Sequence, residues 1–173
     1  MAGSICWSIP LDKLKVREMT LFSVLGALTF AAKYVMAFLP NIEPVSLCVM
    51  LYAVTFGVKA LYPIYLYVLM ELLFYGLGTW NVMYLYIWPV LGLIAYVFRR
   101  MEQPLGWAIL SGSFGLLFGA LCMPVDMLIG GFAYAAAKWI SGIPFDIAHC
   151  IGNFTIALVL FNPMRKLMTR LYK

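Results

Sequence analysis

Charge is scarce in this chain: 11% of its 173 residues are Asp, Glu, Lys or Arg, where soluble domains carry about a quarter. Histidine occurs once. No His-Glu-x-x-His, Gly-x-Ser-x-Gly or Walker-type phosphate loop is present, so neither a zinc protease nor a nucleotide-hydrolysing enzyme is supported. No ladder of arginines and no filter motif speaks for a channel. The four cysteines, Cys6, Cys48, Cys122 and Cys150, stand singly. Their spacing fits neither a disulfide framework nor a zinc site, and they read as free thiols. No internal repeat is visible.

What fills the chain instead is apolar surface. Hydrophobic residues make up 65% and mean hydropathy is +0.96, more than a water-soluble fold can hide. A transmembrane helix needs about 20 mostly apolar residues to cross a hydrocarbon core of about 30 Å. The pattern predicts an all-α integral membrane protein, a single bundle of six transmembrane helices in the lipid bilayer. The spans fall at about 19–39, 44–58, 61–77, 82–98, 105–129 and 143–161. Their punctuation is Pro40-Asn41, Lys59, the turn from Gly76 to Asn81, Arg99-Arg100 and Gly130-Gly131. Phe132 to Ser141 is amphiphilic, and reads equally as an outer helix over a pocket or as an extension of the fifth span. The first residues carry no basic region or small-residue cleavage site and do not read as a cleavable signal.

Positive residues near helix ends are retained on the cytoplasmic side. In a six-helix threading Lys13, Lys15, Arg17, Lys59, Arg99, Arg100, Arg165, Lys166, Arg170 and Lys173 all fall on one side, ten of the twelve cations. Residues 1–18 and the basic tail 162–173 are therefore expected to be cytoplasmic. Lys33 and Lys138 alone do not fit the tally. The net charge of +5 needs no nucleic acid as partner.

Among the acids, Asp12, Glu18 and Glu102 sit with these cations, whereas Glu43, Glu71, Asp126 and Asp146 fall in the outer half or inside spans. Ionisable groups at membrane depth are expensive and tend to face a cavity or a partner. Asp146, His149 and Asn153 recur at spacings of three and four, one face of the sixth helix. That stripe is either a pocket wall or a helix cap with satisfied backbone. Glu71 and Asp126 have no cation at helical spacing, which leaves ligand contact, proton relay and a packed hydrogen bond open. The stiff loop Pro40-Asn41-Ile42-Glu43-Pro44 projects Asn41 and Glu43 outward, as a lid or as a plain tight connection. Trp80, Tyr84, Tyr86 and Trp88 cluster at the start of the fourth helix, where an interfacial belt is the default and stacking on a flat ligand the alternative. Small residues recur every fourth position at Ser23, Ala27, Ala31 and at Ser111, Gly115, Gly119, and each run predicts a flat helix face.

These features resemble the substrate-binding S component of energy-coupling factor vitamin importers. The likeness rests on the six-helix size, on Ala27-Leu28-Thr29-Phe30-Ala31, and on two segments typical of such subunits in Gram-positive bacteria. These are Leu39-Pro40-Asn41-Ile42-Glu43-Pro44-Val45, and Gly142-Ile143-Pro144-Phe145-Asp146 through Asn153-Phe154. The resemblance implies a multi-pass cell-membrane subunit without catalytic activity or cofactor. It would capture a water-soluble vitamin or precursor outside, dock through Ser23, Ala27 and Ala31 on a transmembrane coupling subunit, and rely on two cytoplasmic ATPases. It also implies substrate contacts from Asn41, Glu43, Trp80, Tyr84, Asp126, Asp146, His149 and Asn153. An acidic outer half suits a neutral or cationic ligand better than a dianion. A solitary transporter with a coupling proton on Glu71 or Asp126 is the second reading, and a membrane enzyme using Asp146 and His149 the third.

Overall fold

In the computed structural model, which describes residues 14–39 and 41–172, the chain is helical throughout, with no strand among the described residues. The readings that involve Cys6, Asp12, Lys13, Pro40 and Lys173 lie outside those residues. Helix α1 spans Val16–Val35, α2 Val45–Phe56, α3 Leu61–Tyr75, α4 Thr79–Val97, α5 Pro104–Leu116 and α6 Phe118–Tyr172. A 3-10 turn, Gly57–Ala60, joins α2 to α3. Three helical stretches, Val45–Tyr75, Thr79–Val97 and Pro104–Tyr172, are long and apolar enough to cross a membrane, which is compatible with a membrane protein.

The last of these stretches folds back on itself. At Gly131 the backbone takes φ 78° and ψ 178°, a conformation open to glycine and strained for any residue with a β-carbon. Around this point the chain pairs antiparallel. Lys138 meets Asp126, Asp146 meets Gly119, His149 lies against Gly115, and Trp107 stacks on Phe161 at 4.2 Å. Further along, Arg165 bonds the carbonyls of Met101 and Arg99. Phe132 to Ser141 therefore belongs to the returning arm, as the upper part of the helix that carries Asp146. The expected fifth span is broken at Leu117, between α5 and α6. The helix expected to begin near Pro144 runs straight through it, and the tail after Pro163 is helical to Tyr172. Proline removes one backbone donor, a loss that a helix packed along its length against a partner absorbs.

Helix α2 is buried on nearly every side, the position expected of a helix that is apolar all round. Tyr52 hydrogen-bonds Thr29 and the Leu25 carbonyl of α1. Ser46 accepts from Asn153 of α6. Helices α1 and α3 run parallel in close contact, because Gly26 lets the Leu66 side chain approach. A β-carbon at Gly26 would stand 2.7 Å from Leu66 Cβ and 3.0 Å from the Pro63 carbonyl.

The basic ends of the helices gather at one end of the molecule. Glu18 accepts from Lys59 at 2.8 Å and from Tyr172 at 2.9 Å, and Arg17 reaches the Leu171 carbonyl. The Lys59 and Tyr172 hydrogen bonds hold the Glu18 carboxyl down at about 2.

Two outcomes follow for stability. Gly26→Val should separate α1 from α3 and lower stability by about 1–3 kcal/mol, the usual range for overpacking, read as a lower melting temperature in detergent. Because the folded pKa of Glu18 is depressed, its contribution is complete above the ordinary carboxylate range near 4.3 and is lost as the pH falls toward about 2. Glu18→Gln should therefore lower the melting temperature at pH 7 and leave it nearly unchanged at pH 2.

Candidate functional site

Opposite the basic end, the helices open into a cavity of about 760 Å³, within the range of about 300–1,000 Å³ that ligand pockets occupy. Its walls come from the end of α1, the loop to α2, the end of α3, the start of α4 and both arms of α6. Asn41, Glu43, Trp80, Tyr84, Asp126, Asp146 and His149 all line it, together with Lys33, Glu71, Gly119, Lys138 and Trp139. Asn153, also named on sequence grounds, is not among the lining residues. It lies one helical turn below His149, 2% exposed, and donates to Ser46 Oγ at 2.9 Å and to the Ser111 carbonyl at 3.4 Å. Its amide clamps α2, α5 and α6 together beneath the cavity floor.

Lys33 organises one wall. Its ammonium donates to Glu71 Oε2 at 2.9 Å and to the Tyr84 hydroxyl at 3.3 Å, and lies 3.8 Å from Glu43 Oε2. It also sits 5.1 Å from the Tyr84 ring centroid, within reach of the ring's negative face. Burial pushes the Glu43 carboxyl up, against the pull of Lys33. On the facing wall Lys138 donates to Asp126 at 2.6 Å and lies 5.3 Å from the Trp80 ring centroid. Glu71 and Asp126, which have no cation at helical spacing, thus receive one each from elsewhere in the chain. The donors are the two lysines left over from the orientation tally.

The loop between α1 and α2 closes over this end. Asn41 adopts φ 58°, a left-handed conformation that asparagine tolerates better than most residues. Its amide reaches the Phe145 carbonyl at 3.5 Å, and Ile42 packs where Gly152 leaves room on α6.

The aromatic cluster of α4 divides. Trp80 is half exposed at the cavity, whereas Tyr84 and Trp88 are buried, and Tyr86 donates to the Leu121 carbonyl at 2.6 Å. Apart from Trp80 these rings pack inward on α3, α5 and α6 rather than forming an interfacial belt. The two small-residue runs also differ. Gly115 and Gly119 lie against His149 and Asp146 inside the bundle, while Ser23, Ala27 and Ala31 are exposed along α1. Cys48, Cys122 and Cys150 are free thiols. Sequence reasoning missed Lys33, Lys138 and Trp139 as cavity residues. The misfit of the two lysines in the charge tally was the available signal.

Lys33→Met should strand the buried Glu71 carboxylate and destabilise the protein by roughly 3 kcal/mol. Lys33→Met combined with Glu71→Met should recover most of that loss, read by thermal melting in detergent. A double variant as unstable as the single one would remove the ion pair as the cause. No family profile, curated protein or solved structure matches this chain.

Proposed function

We propose that this chain is the membrane-embedded substrate-binding subunit of an energy-coupling-factor-type importer. In this reading it crosses the bilayer six times with both termini in the cytoplasm. It captures a vitamin-like molecule at the outer, acidic end and delivers it inward after docking on a transmembrane coupling subunit driven by two cytoplasmic ATPases. The chain itself performs no chemistry on the substrate.

One observation carries the reading. The two segments on which the resemblance rests, the loop with Asn41 and Glu43 and the helix with Asp146 and His149, meet over one cavity. Two further features support it. The cavity lies at the end remote from the basic cluster, as outward-facing capture requires when positive residues stay in the cytoplasm. The Ser23, Ala27, Ala31 face of α1 is exposed, and small residues permit the close helix approach that docking in lipid needs. A solitary proton-coupled transporter would place its proton on Glu71 or Asp126. Each of these has a lysine within hydrogen-bond distance, so neither stands as the lone carboxylate with which that reading began.

Ala27→Trp and Ala31→Trp should abolish co-purification with a coupling subunit and abolish uptake, while the isolated subunit keeps its melting temperature. Uptake that persists without the ATPase module and collapses with the proton gradient would replace this reading by the solitary transporter.

A further inference from the structure

Two carboxylate oxygens and one imidazole nitrogen in the cavity wall lack a hydrogen-bond partner among the described residues: Glu71 Oε1, Asp146 Oδ2 and His149 Nε2. All three residues are more than nine-tenths buried, at 4%, 7% and 4% exposure, and all three line the same cavity. A buried polar atom without a partner is costly, and more so when it is charged. Three of them around one cavity mark where a polar partner is received. The other oxygen of each carboxylate is already fixed. Glu71 Oε2 accepts from Lys33, and Asp146 Oδ1 accepts from the Gly119 amide at 3.1 Å. The free oxygens are thus held in place and can only accept, unless protonated.

Beside Asp146 the wall is closely packed, and aromatic side chains flank it. A β-carbon at Gly119 would stand 2.5 Å from Asp146 Oδ2 and 3.0 Å from Trp139 Cδ1. The free oxygen and the indole edge therefore share the space that glycine leaves. Trp80 and Tyr84 line the same cavity. Its lysines are turned to its own acids, Lys33 to Glu71 and Lys138 to Asp126, so among the described residues no cation in the wall is left to receive an anionic ligand.

We infer that the cavity takes a flat, nitrogen-rich ring bearing an amidine-like edge of adjacent N–H donors, with Asp146 as principal acceptor, Glu71 as second acceptor and Trp139 against the ring. This inference rests on the reading of the cavity as a substrate site given above. Ligands of this class are guanidines, amidines and amino-substituted heterocycles, and carboxylates of the same shape are rejected. Discrimination arises because a ligand carboxylate would leave two wall oxygens unpartnered and add a like charge beside them.

The test uses three isosteric probes, benzamidine, benzamide and benzoate, with the full chain in detergent at pH 7.5. Binding is read by quenching of tryptophan emission and by equilibrium dialysis. Benzamidine should bind saturably and at least tenfold more tightly than benzamide, and benzoate should bind weakest. Asp146→Asn puts a donor in place of the free acceptor. It should cost benzamidine at least tenfold and invert its preference over benzoate, a change of rank that mere loosening of the fold would not produce. Gly119→Ala, whose β-carbon would push Asp146 and Trp139 out of place, should weaken benzamidine and benzamide alike. Benzoate binding as well as benzamidine, no saturable benzamidine binding, or an unchanged rank in Asp146→Asn would each overturn the inference. Any of these with Ala27- and Ala31-dependent assembly intact would remove the ligand class alone. The expected rank order in a protein that assembles with no coupling subunit would keep the ligand class and remove the importer reading.

Discussion

A carboxylate in an apolar interior is tolerated only when a cation or several hydrogen-bond donors receive it, since the effective penalty of an unpaired buried ion is several kcal/mol. The Lys33 ammonium meets this requirement where the bundle's acids converge. From the last turn of α1 it reaches Glu71 on α3, Tyr84 on α4 and Glu43 in the loop above. One side chain thus fixes the spacing of three helices and the closure of the loop. Lys138 acts likewise on the other side, joining the two arms of α6 near their reversal at Gly131 through Asp126. With both lysines committed, Glu71 Oε1, Asp146 Oδ2 and His149 Nε2 are the cavity-wall atoms left without a partner among the described residues.

These two pairs also show where sequence reading succeeds and where it stops. Counting charges by loop sets Lys33 and Lys138 apart from the other cations, and both lie in the cavity wall. Helical spacing then fails to pair them, because the partners lie 38 and 12 residues away on other segments, and periodicity compares positions on one helix only. The break at Gly130-Gly131 is legible from glycine alone. The side to which Phe132–Ser141 belongs is not, since an amphiphilic stretch shows that a neighbour exists and not which one, and Trp139 is overlooked with it. The stripe Asp146, His149, Asn153 is legible as one face. That its third member clamps Ser46 and the Ser111 carbonyl instead of lining the cavity depends on how deep the floor lies, which spacing does not encode.

The two runs of small residues carry the same point further. Ser111, Gly115, Gly119 and Ser23, Ala27, Ala31 have one pattern and opposite fates. The first lies along the arm of a hairpin whose other arm must return past it, so its glycines meet the His149 backbone and the Asp146 carboxylate within the chain. On α1 the close internal contact is made by Gly26, which receives Leu66, one residue out of register with Ala27. A single step along a helix turns a side chain by about 100°, so once Gly26 faces α3 the Ser23, Ala27, Ala31 face is turned aside from that contact. The covered run packs on the returning arm, whereas the other run is left on the outer surface of α1. In the proposed function that asymmetry would separate ligand capture from partner docking, and Lys33 is the side chain that reaches from α1 into the cavity.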